Sequence, residues 1–86
     1  GMALTRMLPV GGARLHVNAV VRGALEVTLA DDRGQVLEGY AATVPAGDHL
    51  DRAVHFERIP EPFAGRDVRL LFRMRDASLY SYWFAA

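Results

Sequence analysis

The chain contains no cysteine and no lysine, and its net charge at pH 7 is zero. The lack of cysteine excludes disulfide bridges, thiolate nucleophiles and zinc–thiolate sites. The balanced charge leaves no global field that would attract nucleic acid or an anionic membrane surface. No apolar run approaches the roughly 20 residues that a membrane-spanning helix needs. We therefore expect neither nucleic acid nor membrane as a partner.

The composition that remains is that of one small globular domain. The chain has 86 residues, of which 51% are hydrophobic and 23% are charged. The start, Gly1-Met2-Ala3, is typical of an expression scar before a native initiator Met, and no secretory signal is visible. We expect a single domain over residues 1–86, with the cytoplasm as the default location.

Apolar residues recur mostly at every second position, which is the signature of β-strands. This period predicts strands over residues 4–8, 14–20, 25–29, 36–37, 50–59, 68–75 and 79–84. Between them it predicts breaks at residues 11–12, 22–23, 31–34, 42–48, 60–62, 64–67 and 76–77. Such short strands without a helical period are typical of a sandwich or an open barrel. The predicted fold is all-β, a small two-sheet antiparallel β-sandwich of jelly-roll type with six to eight strands.

The closing segment carries the clearest pattern. Residues 68–75 alternate between an apolar face and an arginine-rich face, and Asp76-Ala77 then predicts a tight turn. The following run is apolar on both faces, with Leu79 and Trp83 on one and Tyr80, Tyr82 and Phe84 on the other. A strand that is apolar on both faces is central or covered by another element. This pair of strands predicts a neighbour beyond the core.

No constellation of catalytic or metal-ligating residues emerges from the spacing. The candidate carboxylates are Glu26, Asp48, Asp51 and Glu57, and the candidate metal ligands are His16, His49 and His55. No two of the carboxylates make a recognisable glycosidase pair, and no His-x-His motif supports a metal site. The run 31–34 has the composition of a hairpin turn and lacks the alternating oxygen ligands of a calcium loop. We expect no enzyme activity, no cofactor and no metal.

Aromatic and arginine side chains form the two candidate contact sets. Tyr40, Tyr80, Tyr82 and Trp83 are the candidate ligand-binding residues, because sugar-binding sandwiches stack pyranose rings on exposed aromatics; packing in the core or at a domain interface is the alternative. Arg69, Arg73 and Arg75, with Arg14 across the sheet, form a basic stripe. The stripe is either a solvated face paired with acidic residues or a docking surface for a partner.

Several segments resemble a known domain when they are taken together. They are the runs 15–19, 23–27, 31–40 and 47–50 and, most specifically, 65–84, which reads GRDVRLLFRMRDASLYSYWF. The chain resembles, from about Thr5 to Phe84, the C-terminal β-sandwich that follows the catalytic β-propeller in bacterial glycoside-hydrolase-like proteins of the invertase and sialidase-like type. It departs from that pattern in lacking the propeller, in having Phe56 where Trp is usual, and in lacking acidic residues over 41–46.

The resemblance implies a non-catalytic accessory or interaction domain, because the catalytic carboxylates of those proteins lie on the propeller. The partner would then be a β-propeller catalytic domain or, for a stand-alone chain, a second copy of itself. The alternative function is a stand-alone carbohydrate-binding module that uses its exposed aromatics.

Overall fold

The computed structural model describes residues 1–9, 14–56 and 66–85. All regular secondary structure in these ranges is β-strand. The six strands are β1 (Met2–Leu4), β2 (Leu8–Pro9), β3 (Arg14–Ala30), β4 (Val36–Val44), β5 (Gly47–Val54) and β6 (Asp67–Ala85). No helix in the described ranges is long and apolar enough to cross a membrane.

The two longest strands, β3 and β6, form the centre of the sheet. They pair antiparallel along nearly their whole length, from Arg14 opposite Ala85 to Ala30 opposite Arg69. The other side of β3 pairs with β5 along its first half and with β4 along its second half. The other side of β6 pairs with β1 and, over two residues, with β2. The prediction of an all-β antiparallel fold is confirmed.

Alternation along β3 explains why this segment forms the central strand. Its core-facing side chains are fully buried or nearly so: Leu15, Val17, Ala19, Val21, Leu25, Val27 and Leu29.

The turn that follows β3 is the predicted hairpin turn. The Gly34 amide donates to the Asp31 carbonyl at 3.0 Å, and Gly34 has a φ of 81°. The Asp31 carboxylate accepts two further backbone hydrogen bonds, from Arg33 and Gln35, each at 2.9 Å.

Two predicted breaks are wrong, because both strands continue through them. Residues 22–23 lie inside β3, and Asp76-Ala77 lies inside β6, so residues 68–84 are one strand and not a strand pair. The pairing shifts between Val21 and Ala24, and Asp76 takes a φ of 49°. Turn-forming residues here produce a bulge, which bends the strand without reversing the chain.

The predicted loop at residues 42–48 is also shorter than expected. Strand β4 continues to Val44 and β5 begins at Gly47, so only two residues separate them. Strand β5 ends at Val54, and residues 57–59 of the predicted 50–59 strand lie outside the described residues. So do the predicted breaks at 11–12 and 60–62 and the first two residues of the predicted turn 64–67.

The sheet is strongly bent. A straight strand of the 19 residues in β6 would be roughly 60 Å long, whereas the longest dimension of the molecule is 32 Å. Both halves of β3 and the first half of β6 contribute side chains to a single buried cluster, together with Ala42, Val44 and Val54. The bend therefore folds the inner face of the sheet around one common core.

A second bulge changes which residues face that core. Ser81 lies opposite Asn18 while Leu79 lies opposite Ala19, so Tyr80 is an extra residue in β6. The prediction that Leu79 shares a face with Trp83 is therefore wrong. Leu79 packs against the core together with Tyr82 and Phe84, because the inserted residue reverses the alternation at this point.

Candidate functional site

The four predicted ligand-binding aromatics do not share one surface. Tyr40 and Tyr82 are partly buried against the core, and the Tyr82 ring centroid lies 5.2 Å from that of Phe72. Tyr80 and Trp83 are exposed, at 71% and 38% of their full areas. Only these last two aromatics present large apolar surfaces to solvent, and both lie on the second half of β6.

Trp83 lies on the outer face of the sheet, directly opposite His16 on β3. The indole and imidazole rings are stacked, with centroids 5.7 Å apart and planes inclined by 12°. Side chains of directly opposed residues on one sheet face stand close enough to pack in this way. The stack fixes the orientation of Trp83 while 38% of its area stays accessible.

A network of hydrogen bonds extends from this stack across three strands. Nδ1 of His16 lies 2.7 Å from Oδ1 of Asp51 on β5. The backbone amide of Asp51 donates to Oδ1 of Asn18 at 2.7 Å, and Nδ2 of Asn18 donates to Oγ of Ser81 at 2.9 Å. We call the five residues His16, Asn18, Asp51, Ser81 and Trp83 the outer cluster.

The position of Asp51 depends on an irregularity in β5. Asp51 has a φ of 54°, and the β3–β5 pairing shifts between Val17 and Ala19. Asp is one of the residues that tolerate this left-handed conformation. The Asn18 side chain satisfies the Asp51 amide at the irregularity, while the exposed Asp51 carboxylate reaches His16.

The sequence pattern indicates only part of the outer cluster. Alternation along β3 correctly put His16 and Asn18 on the face opposite Leu15 and Val17. It gave no signal for Asp51, which is 35 positions from His16 and joins it only through the β3–β5 pairing. It also gave no signal for the stack of His16 on Trp83, since that contact depends on the β3–β6 register.

The predicted arginine stripe separates into residues with different roles. Arg69 is bound within the chain: its guanidinium donates to the Thr5 carbonyl at 2.9 Å and to the Asp32 carbonyl at 3.3 Å. Arg73 is exposed and lies 4.0 Å from the Glu26 carboxylate, and Arg75 is exposed. Arg14 lies at the opposite end of β3 from these three residues and does not join them. The exposed part of the stripe is therefore Arg73 and Arg75.

The remaining candidate residues are scattered. Glu26 faces Arg73, Asp48 lies opposite Val20, and the His49 ring lies 2.6 Å from the Pro45 carbonyl oxygen. Glu57 lies outside the described residues. Within the described part of the chain, no three His, Asp or Glu side chains are grouped so that they could hold a metal ion.

The surface also carries shallow depressions, and these lie away from the His16–Trp83 stack. One of about 470 Å³ is lined by residues including Met7, Asp32 and Arg66. Another, of about 210 Å³, is lined by Val20, Arg22, Asp76, Ala77, Ser78 and Tyr80. Val20 and Ser78 lie opposite each other on the outer face, and both line this second depression. Tyr80 lines the same depression and therefore lies next to the outer face.

Comparison with known proteins identifies no relative. No protein-family model, no curated protein and no solved structure matches the chain. The resemblance to the sandwich domain of glycoside-hydrolase-like proteins therefore stays a prediction.

Proposed function

We propose that this chain is a non-catalytic interaction domain that binds a larger protein through the outer face of β6. On the basis of the sequence resemblance, its partner is a β-propeller catalytic domain of the glycoside-hydrolase-like type. The observation that carries this proposal is the exposure of Trp83, a member of the outer cluster, and of Tyr80, which precedes Ser81 of that cluster on β6. Tyr and Trp are enriched in the buried centres of protein interfaces, where an apolar ring is desolvated and its polar edge is hydrogen-bonded.

The contacts that hold this surface in place support a binding role. His16 holds one side of the Trp83 ring, and His16 is in turn held by Asp51. A side chain that is ordered before binding loses less conformational entropy when the partner arrives. The outer cluster is therefore a preorganised contact surface.

The bent sheet supports the sandwich that the proposal assumes. β3 and β6 each bend at a bulge, and the two halves of the inner face enclose one core. In our interpretation the two halves are the two layers of a small sandwich that includes the six described strands, and the long strands switch layers at bulges, as in orthogonal packing. The outer face of one layer would then meet the propeller.

The contacts around Ser81 favour binding over catalysis. The Ser81 hydroxyl accepts a hydrogen bond from Asn18, while the imidazole of His16 is engaged with Asp51 and Trp83. A nucleophilic serine needs a base within hydrogen-bond reach of its hydroxyl. We propose that these groups shape a surface and do not carry out a reaction.

The test is co-expression with each β-propeller protein that is encoded beside the gene for this chain. We expect co-purification in a one-to-one complex, lost in the Trp83→Ala, Tyr80→Ala double variant. Leu50→Ala is the matched control, because Leu50 is an apolar side chain that is 85% exposed on β5. Failure of every such propeller to bind, or loss of binding in the Leu50 variant alone, would contradict the proposal.

Carbohydrate binding is the second candidate function. One observation favours it: Trp83 and the Asp51 carboxylate contact the same imidazole ring, that of His16, and the Asp51 side chain is 68% exposed. A sugar could stack on an indole while its hydroxyls donate to a neighbouring carboxylate, which is the usual combination of apolar wall and placed polar groups. Calorimetric titration with hits from a glycan array tests this alternative, and Trp83→Ala should abolish the heat of binding. An array without specific hits would remove it.

A further inference from the structure

The second half of β6 has an edge that no strand of the described residues covers. The outer edge of the first half is occupied by β2, β1 and the flanking residues Thr5 and Gly1, which reach as far as Met74. From Arg75 to Ala85, β6 pairs with β3 on one side, and no strand in the described ranges pairs with its other side. Backbone amides and carbonyls along such an edge can pair with another strand.

The β4 and β5 edges of the sheet carry features that discourage pairing. β5 is interrupted by the left-handed Asp51 and carries Asp48 and Arg52. β4 contains Gly39 with a φ of 86° and the charged Glu38. Charges, irregular backbone and short length are the usual means by which proteins protect an edge strand.

The β6 edge has a bulge at Tyr80 but otherwise lacks these protections. Residues 77–85 include no charged side chain. Ser81 to Ala85 pair with Asn18 to Arg14 without a register shift, so this stretch is regular as well as uncharged. Regular, uncharged and rich in aromatics, it has the composition of a strand that pairs with another strand.

We infer that residues 81–85 of β6 pair antiparallel with the same residues of a second copy of this chain, with the two-fold axis near Trp83. The inference goes beyond the proposed function, because it concerns the backbone edge of β6 and a second copy of this chain. In this register Ser81 lies opposite Ala85 of the other copy, so no two charged side chains are opposed. The two Trp83 side chains lie side by side on one face, with Cβ atoms about 4.5–5.5 Å apart.

The size of the contact sets the expected strength. Each large aromatic ring contributes at most about 150–250 Å², and each Trp83 and Tyr80 is already partly covered. Five paired residues and two rings in each copy bury less than the roughly 1,200–2,000 Å² of a typical stable interface. The dimer is therefore reversible, and it dissociates on dilution.

Sedimentation velocity over a wide concentration range tests the inference. We expect a concentration-dependent monomer–dimer equilibrium that Trp83→Lys weakens by about tenfold or more, since a lysine on an edge strand opposes pairing. Leu50→Lys is the matched control: it adds the same charge at an exposed apolar position on the β5 edge, and it should leave dimerisation unchanged. Tyr80→Lys, at a side chain that is 71% exposed, provides a second disrupting variant if Trp83→Lys fails to fold.

Circular dichroism of the single tryptophan gives an independent measurement. The chain has one tryptophan, so an exciton couplet between two indoles can arise only between two copies. We expect the couplet to grow with concentration and to be absent in Trp83→Phe. A monomer at every concentration, or dissociation by Leu50→Lys in place of the β6 variants, would overturn the inference.

These outcomes are separable from those of the proposed function. If the chain stays monomeric but Trp83→Ala, Tyr80→Ala still loses a propeller partner, self-pairing is wrong and the interaction role stands. If the chain dimerises through β6 and binds no propeller, self-pairing stands and the accessory role is wrong.

Discussion

The rings of Phe72 and Tyr82 pack against each other, with centroids 5.2 Å apart, although both belong to strand β6. In a straight strand, residues separated by ten positions would be roughly 33 Å apart. The contact is possible because β6 bends back over itself at Asp76 and Tyr80. The first and second halves of one strand therefore stabilise each other across the core.

This contact predicts that Tyr82 contributes more to the free energy of unfolding than Tyr80 does. Phe72→Ala should lower the free energy of unfolding by about 3–5 kcal/mol, because Phe72 is 1% exposed. Tyr82→Ala should cost at least about 1 kcal/mol, whereas Tyr80→Ala should stay within about 0.5 kcal/mol. Urea unfolding measures all three. A coupling energy near zero in the Phe72–Tyr82 double-mutant cycle would show that the bend does not bring the rings together.

A second prediction concerns the bulge in β3. A Cβ atom at position 23 would lie 2.3 Å from the Arg75 carbonyl oxygen, which is backbone and cannot rotate away. Gly23→Ala should therefore destabilise the fold by about 1–3 kcal/mol or more. Ala24→Ser, at the adjacent exposed position, is the control and should be nearly neutral. Equal thermal unfolding temperatures for the two variants would argue against the close crossing of β3 and β6.

Two buried threonines provide a matched pair. Thr5 is 8% exposed and Thr28 is 7% exposed, but their hydroxyls differ in hydrogen bonding. Oγ1 of Thr5 accepts from the Leu70 amide at 2.9 Å, whereas Oγ1 of Thr28 has no partner among the described residues. Thr5→Val should cost about 1–3 kcal/mol by leaving a buried amide unsatisfied, and Thr28→Val should be neutral or stabilising. Chemical denaturation should show that the two substitutions change the free energy of unfolding in opposite directions or by clearly different amounts.

The arginines of the predicted stripe should also respond differently. Arg69→Gln removes hydrogen bonds to the Thr5 and Asp32 carbonyls and should destabilise the fold by about 1–3 kcal/mol. Arg73→Gln removes only an exposed 4.0 Å pair with Glu26 and should change stability by about 0.5 kcal/mol or less. If the Arg69 variant kept full stability, its guanidinium would be available for a partner, as the sequence alone suggested.

The sequence by itself determined the all-β class, the turn at Asp31–Gly34 and the core face of β3. These features are local: a strand places alternate residues on opposite faces, and an Asp carboxylate and a glycine with positive φ are enough to form the turn. The same local rules separated His16 and Asn18 from the core residues around them.

The tertiary structure alone decided where the chain bends and what meets at the bends. Residues 22–23 and 76–77 have turn composition, yet the long β3–β6 pairing holds both segments within continuous strands, because leaving either strand would break the ladder of hydrogen bonds on both sides of the bulge. The extra residue at Tyr80 then reverses the alternation and sends Leu79 and Tyr82 to the core. The stack of His16 on Trp83 and the contact between His16 and the Asp51 carboxylate depend on the register between strands that are distant in sequence. A one-residue shift in pairing moves a side chain to the other face, and only packing against the rest of the sheet fixes that choice.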